Sequence, residues 1–497
     1  LLENRPFLPK TFAVFWKISL FYQRRYLSFG KSAFFTKDVC CLLENRPFLP
    51  KTFAVFWKIG PFYQRRYLSF GKLAFFTKDV SCLLENQPFL PKTLGDNMKY
   101  EPLKKVYYTN ESGYELEYSK RYAAPFTQHF DMPIKEYNRK NTYSAFLIYT
   151  QEIALLMEQI YKSYETLLYV IHSVPKIVLD QFTLLSILEE VKSTNEIEGV
   201  HSTRKELRDI IDGTAPRSAR FTSVIHKYED LLGRTNIEFK TCEDVRAFYD
   251  DFAHAEVIAE NPDNELDGNL FRKSSVDIDS GTGKTIHQGV MPEERIVSLM
   301  HYALELLNDE SIPLLVRVSI FHYFFAYIHP FYDGNGRTDR FITSYFLSKH
   351  FHPLASLRLS IFIKKNRATY YALFKEADSE RNRGDMTPFV TGFMRLLLST
   401  FNDTIAVLQR KEAQLETYRA KVDKFISDDD LLQNIYYILL QAALFYGQGV
   451  PMAQLVKLTD KSQKTIKIRL ESMPREHLLI TTVNRVKYYK LNLLMFK

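Results

Sequence analysis

The sequence predicts a mainly α-helical protein with a small β-hairpin and a C-terminal winged helix-turn-helix. Three observations carry this. Long stretches repeat apolar residues at helical spacing, among them Ser144–Ile171, Phe182–Thr194 and Pro313–Ile328. Two short β-like runs, Ser275–Ile278 and Thr285–Val290, flank the glycine-bearing turn Asp279-Ser-Gly-Thr-Gly-Lys284. The tail reads helix, turn, helix, turn, helix, strand, strand.

Taken in order, the chain opens on a repeat. Leu-Leu-Glu-Asn-Arg-Pro-Phe-Leu-Pro-Lys-Thr starts at Leu1 and again at Leu42, and a third copy, with Gln87 in place of Arg, starts at Leu83 and breaks off after Thr93. Periods of this length usually signal a solenoid. These copies are nearly identical even where a fold would leave positions free. Our expectation is therefore that residues 1–97 are repetitive DNA read in frame ahead of a start at Met98, and not native coding sequence. Residues 98–180 read as an N-terminal helical region, carrying the long stretch Ser144–Ile171. Residues 181–400 read as the core. Asn261–Asp279 is polar and loop-like, Pro292 opens a helix over Glu293–Leu307, and Arg337–His350 follows as another. Pro313–Ile328 is apolar on nearly every side, as in a helix buried centrally in a bundle. Thr387–Leu398 and Leu408–Lys421 read as two further helices, so 401–424 is expected to be a linker helix. Residues 425–497 supply the winged-helix pattern: Leu431–Leu444, Met452–Leu458 and Gln463–Met473, then strands Leu478–Val483 and Arg485–Leu491 turning at Asn484.

Composition sets broad limits. The 497 residues call for two or three domains, and the 46% hydrophobic content fills ordinary cores. A net charge of +8 on such a chain does not by itself imply nucleic acid. Four cysteines make no disulfide framework, and only Cys242 lies beyond the repeats, which suits a reducing cytoplasm. No apolar run is long enough to span a bilayer.

The chemistry concentrates in His329-Pro-Phe-Tyr-Asp-Gly-Asn-Gly-Arg-Thr-Asp-Arg340. Gly334 and Gly336 let backbone amides approach a ligand closely, and the helix after them favours an anion at its start. Asn335 can add an amide donor. Arg337 and Arg340, three apart, can both face one oxyanion cluster, and arginine's planar fork suits phosphate. Asp333 is a hard oxygen ligand of the sort Mg²⁺ prefers beside phosphates and water. His329 can be neutral near pH 7 and take a proton from an incoming hydroxyl. Each part alone has a commoner structural reading: a helix cap, a turn, a solvated face. Together, after a buried helix, they point to hydroxyl attack on a metal-bound nucleotide phosphate.

This string resembles the Fic family signature, His-x-Phe-x-(Asp/Glu)-Gly-Asn-Gly-Arg-x-x-Arg. His329, Phe331, Asp333, Gly334, Asn335, Gly336, Arg337 and Arg340 fill every fixed position. The resemblance runs over roughly 182–398. It implies a helical bundle with a β-hairpin flap and protein AMPylation: AMP moves from ATP to a Ser, Thr or Tyr hydroxyl of a target protein, or of the enzyme itself. By it, His329 deprotonates the hydroxyl and Asp333 holds Mg²⁺. Gly334, Asn335 and Gly336 line the anion hole, Phe331 packs beneath the loop, and Arg337 and Arg340 take the β- and γ-phosphates. The hairpin, with Ser275, Val276, Thr285, Ile286 and His287, is similar to the flap that aligns an extended target segment by strand addition.

Thr194-Asn-Glu-Ile-Glu198-Gly199 ends an amphipathic helix. A plain helix end is the simple reading, although the helix dipole disfavours Glu there. The segment also resembles the family's inhibitory motif through Thr194, Glu198 and Gly199, which implies an inhibitory helix at about 182–199 whose Glu198 pairs with Arg340. Asn366, Tyr370 and Tyr371 resemble a segment near the family's adenine pocket. Basic residues in the tail (Lys461, Lys464, Lys467, Arg469, Arg485, Lys487, Lys490) could follow a DNA backbone or cover a homodimer contact. The alternatives to an autoinhibited adenylyltransferase are a DNA-binding transcriptional regulator with a nucleotide-sensing core, removal of AMP, or transfer of another phosphate-linked group.

Overall fold

The computed structural model describes residues 100–497, apart from 217, 280–284, 426–428, 447–448, 484 and 497. The repeats, the hairpin turn with Lys284, and Asn484 lie outside the described residues. The fold is mainly helical.

Two helices come first, α1 (Leu103–Thr109) and α2 (Glu111–Tyr122), with the Asn110 side chain capping the second. A strand pair that the sequence reading missed follows. Strand β1 (Thr127–Ile134) pairs antiparallel with β2 (Tyr143–Ile148). The expected helix from Ser144 therefore starts later, as α3 (Gln151–Ser173), where the Thr150 hydroxyl accepts the Ile153 N–H at 3.2 Å. The physical reason is burial on both faces. Ala145, Phe146, Leu147 and Ile148 are all buried, and a run without alternation cannot be told from a helix by period. The far edge of β2 is also used: Phe146 N–H donates to Gly384 O, and Met386 N–H donates to Phe146 O.

Helix α4 (Lys176–Ile197) carries the second motif. Next come α5 (Arg204–Ile211) and α6 (Thr222–Leu232), then α7 (Cys242–Tyr249). The last passes through a π-helical turn, Asp250–His254, into α8 (Ala255–Glu260). The hairpin forms as expected, β3 (Asp277–Asp279) against β4 (Thr285–Gln288). It leads to α9 (Glu293–Asn308), α10 (Leu314–Ile328) and α11 (Asn335–His350). Every α10 residue except Ala326 is buried. That fixes the helix axis and hence where His329 emerges. Short helices α12 (Pro353–Ser356), α13 (Leu359–Lys365) and α14 (Arg367–Ala377) close this layer.

Helix α15 (Thr387–Val422) is one unbroken 36-residue helix and not the two expected. No Gly or Pro interrupts Ser399–Val407. The buried Thr400 and Thr404 stay helical by donating their hydroxyls to Leu396 O and Thr400 O, at 2.9 and 2.8 Å. A boundary at 400 falls inside this helix. The tail comprises α16 (Asp430–Gln441), strand β5 (Val450–Pro451), α17 (Met452–Thr459), α18 (Gln463–Ser472), β6 (Leu478–Val483) and β7 (Val486–Leu491). Its sheet order is β5-β7-β6, so a short third strand joins the two expected. Among the described residues no helix is long and apolar enough to cross a membrane.

Candidate active site

The loop between α10 and α11 is held from beneath. His329 caps α10 in a left-handed conformation (φ 54°), its N–H still bonded to Phe325 O at 2.9 Å. Phe331 turns inward and stacks on Tyr249, with centroids 3.7 Å apart and rings 8° from parallel. The Tyr249 hydroxyl donates to Asp333 O at 3.1 Å. Asn335 closes the loop on itself. Its Oδ1 accepts Phe331 N–H at 2.9 Å and its Nδ2 donates to Phe331 O at 2.7 Å. The side chain is thus occupied with Phe331 and is not the extra amide donor expected from sequence. Gly334 is left-handed (φ 77°), and a Cβ there would press on Tyr249 and Ala253 at 3.2 and 3.4 Å.

Helix α11 begins at Asn335, so its first N–H groups have no partner within the helix and face the loop's open side. Asp333, half-buried, accepts Gly334 N–H through Oδ1. Arg337 and Arg340 are fully buried in the first turns. Arg337 donates from Nη1 to Glu256 Oε2 at 3.1 Å, while its Nε and Nη2 have no partner among the described residues. Burial pushes the Glu256 carboxyl up to about 7, against the pull of Arg337.

Arg340 is bound entirely by α4. Its Nη1 pairs with Glu198 Oε1 at 2.7 Å, its Nε donates to Thr194 Oγ1 at 2.9 Å, and its Nη2 donates to Thr194 O at 3.1 Å. Glu198 is the C-cap of α4, and Gly199 after it is left-handed (φ 81°). Burial alone would raise the Glu198 carboxyl. Arg340 first, then Arg337, outweigh it and hold the group below the usual carboxylate range. The carboxylate lies against the loop: a Cβ on Gly336 would come 2.1 Å from Glu198 Oε1 and 2.8 Å from Arg340 Nη1. So Glu198 fills the space that Gly336 leaves open at the start of α11.

The His329 imidazole is desolvated, which depresses it to about 4. Its Nδ1 lies 3.2 Å from Ala326 O. With Nδ1–H donating there, Nε2 keeps its lone pair.

Several sequence expectations fit less well. His287 is buried and holds Tyr327 O through Nε2 at 2.8 Å, so it anchors the hairpin and does not offer itself to a target. Ile286 on the same strand is 46% exposed, and Ser275 is exposed with Val276 beside it, its carbonyl accepting Gly289 N–H. Tyr370 is buried with its hydroxyl 2.8 Å from His322 Nε2. Asn366 bonds back to Phe362 O at 3.0 Å, and Tyr371 stays partly exposed under the Arg367 guanidinium.

Three residues around the site escaped the sequence reading. Glu256 partners Arg337. Glu190, fully buried on α4, accepts the Ser360 and Ile361 N–H groups and pins α4 to α13. Arg272, fully buried, donates to His329 O at 2.8 Å. A lone charged residue in a polar stretch gives no signal of its burial.

In the tail, Arg469 pairs with Asp429 at 2.7 Å and Lys467 lies 3.8 Å from Glu471. Both were counted toward the basic stripe, which their acidic partners weaken.

Comparison with known proteins gives a consistent picture. Residues 250–347 match the Fic/DOC family. Protein adenylyltransferase fic-1 of Caenorhabditis elegans is 35% identical over 100 residues, 20% of this chain and 18% of that protein. Protein adenylyltransferase Fic of Drosophila erecta is 39% identical over 87 residues, 17% of this chain and 16% of that one. The chain thus spans less than a fifth of these relatives' length. Among solved structures, a Fic family protein from Desulfovibrio desulfuricans is 22% identical, covering 69% of this chain and 96% of its own, with a TM-score of 0.43. Over residues 250–347, with the whole His329–Arg340 loop inside that span, the chain is similar to the Fic/DOC family.

Proposed function

We propose that this chain transfers AMP from ATP to a Ser, Thr or Tyr hydroxyl of a target protein, and that Glu198 holds the site inhibited. One observation carries the reading. The Glu198 carboxylate lies beside Gly336 in the first turn of α11 and pairs with Arg340, so this space already holds an anion. A site that accepts a carboxylate there, with Arg337 partly unpartnered beside it, suits the phosphates of a nucleotide.

The chemistry follows from the residues. The target hydroxyl oxygen attacks the α-phosphorus of ATP and forms a new P–O ester bond. The bond from that phosphorus to the bridging oxygen breaks, and diphosphate leaves. The hydroxyl proton passes to His329 Nε2. The low basicity of His329 keeps the ring neutral and ready, and triphosphate charge arriving nearby raises it toward a useful range. Arg337, and Arg340 once freed from Glu198, neutralise charge on the phosphates. Asp333 would hold Mg²⁺: it is a half-buried carboxylate at the loop, and one or two carboxylates completed by phosphates and water are how Mg²⁺ usually binds. Bound there, the ion would offset phosphate charge. The exposed parts of the hairpin, at Ser275 and Ile286, suit alignment of an extended target segment, and the enzyme's own chain is one candidate target.

The test uses the full chain with ATP labelled either at the α- or at the γ-phosphate. The reading predicts protein-bound α-label that disappears in His329→Ala, and no γ-label. Transfer of γ-label, or α-label that survives His329→Ala, would defeat it.

A further inference from the structure

We propose that Arg272 is a positioning residue, which sets the backbone turn at His329 and ties it to both roots of the β3–β4 hairpin. The role rests on the AMP-transfer reading. Arg272 has no exposed surface, yet among the described residues no carboxylate pairs with it in an ion pair. Its fork is spent on main-chain carbonyls. Nε donates to His329 O at 2.8 Å, Nη1 to Ser274 O at 2.6 Å, and Nη2 to Val290 O at 2.8 Å and, more weakly, to Ile328 O at 3.4 Å. Its own N–H donates to Pro330 O at 3.2 Å.

These acceptors come from three separate pieces of chain. Ser274 precedes β3, Val290 follows β4, and Ile328 to Pro330 form the exit of α10. One planar, five-donor group therefore joins the hairpin to the general base. The packing leaves no slack. A Cβ on Gly289 would fall 2.2 Å from Arg272 Nη2 and 3.1 Å from the His329 Cβ. The need for a clamp is local. His329 is a non-glycine residue in the left-handed region, and such a conformation persists only where the surroundings over-determine it. The guanidinium also lies close enough for its charge to oppose protonation of the His329 ring. A buried cation satisfied only by carbonyls stays protonated here: burial lowers it, but only to about 10.

Lysine cannot replace this. It concentrates its donors at one point and cannot reach carbonyls spread around a fork. Arg272 touches neither the phosphate arginines nor Asp333 in the hydrogen-bond pattern, so its loss should spare nucleotide binding.

The experiment places Arg272→Met and Arg272→Lys in the full-length chain carrying Glu198→Gly. Three quantities are read: kcat and KM for AMP transfer, ATP affinity by calorimetry, and the His329 ring titration by NMR. We expect kcat to fall about a hundredfold in both variants, the usual consequence of misplacing a reacting group by an ångström. ATP affinity should stay within about twofold of the parent. The His329 titration should move up in both, as the ring is released and hydrated, and further in Arg272→Met, which also removes the charge. Unchanged kcat, or loss of ATP affinity in step with kcat, would overturn the proposal. If Arg272→Met does not fold, Arg272→Lys decides by the same criteria. If the Glu198→Gly parent transfers no AMP, the functional reading fails by itself. The titration then still judges the clamp, and an unmoved His329 would refute it.

Discussion

Replacing Glu198 by Gly should release the enzyme, and the size of the effect can be worked from the site. Glu198 makes one charge-assisted contact of 2.7 Å to Arg340, whose side chain is 2% exposed while that of Glu198 is 25% exposed. Hydrogen bonds to charged groups contribute about 1.5–3 kcal/mol, and the quarter exposure favours the lower half of that range. A phosphate that must displace the carboxylate meets this opposition, besides repulsion between two anions. Converted at about 1.4 kcal/mol per tenfold, removing that contact alone should raise AMP transfer roughly ten- to fortyfold. Arg340 keeps its two bonds to Thr194, so the cradle should survive the substitution. The assay is incorporation of α-labelled AMP by wild type, Glu198→Gly and Glu198→Gly/His329→Ala at equal concentration. Equal incorporation by wild type and Glu198→Gly would refute the reasoning, since a carboxylate in the phosphate cradle could not then be inhibitory.

Further outcomes follow from the same geometry. Gly336→Ala drives a methyl into the space of Glu198 Oε1 and Arg340 Nη1. It should evict Glu198 without activating the enzyme, because the methyl also crowds phosphate by about 1–3 kcal/mol; calorimetry on the Glu198→Gly background should show roughly tenfold weaker ATP binding, and unaltered affinity would contradict the cradle. Asn335→Ala removes both side-chain bonds to the Phe331 backbone and should cost about 2–4 kcal/mol in urea unfolding, with activity lost alongside; a change below about 0.5 kcal/mol would show that another group closes the loop. His329, depressed to about 4, should stay neutral well below pH 6, so kcat/KM of Glu198→Gly should be flat from pH 7.5 to 5.5 as far as this group governs it, and removing Glu198, whose charge raises the ring, lowers it further. A fall centred near 6.5, the ordinary histidine value, would contradict the burial argument. The same shift affects stability. The unfolded chain binds this proton at higher pH than the folded one, so the His329 contribution to stability declines as pH drops from about 6.5 toward 4.

The parts of the site that were legible share one property: their chemistry is local. His329, Asp333, the glycines and the two arginines fall within twelve residues, and a buried helix followed by a glycine loop can be read directly from apolar runs and Gly. Glu198 was legible through the resemblance of Thr194, Glu198 and Gly199 to a family motif, at a helix end where a carboxylate is otherwise unfavourable. What failed depended on tertiary contacts. The β2 strand has no alternation, since both its faces are covered, so it merged with the helix after it. The stretch between Leu398 and Leu408 was left outside both expected helices, yet α15 runs through it with Thr400 and Thr404 back-bonded within it. Asn335 looked like a ligand donor and instead holds Phe331. The bond from Tyr370 to His322 was equally hidden, because it joins residues far apart in sequence. Arg272, Glu190 and Glu256 were invisible because nothing in a neighbouring sequence distinguishes a buried ion from a solvated one.

The central claim is that this site puts AMP on a protein hydroxyl. Its most direct test is tandem mass spectrometry of cell lysate incubated with full-length Glu198→Gly protein, ATP and Mg²⁺. The account predicts AMP-bearing Ser, Thr or Tyr peptides that vanish when His329→Ala is added. Lysate with no such peptides, or with the same peptides in the His329→Ala sample, would contradict it.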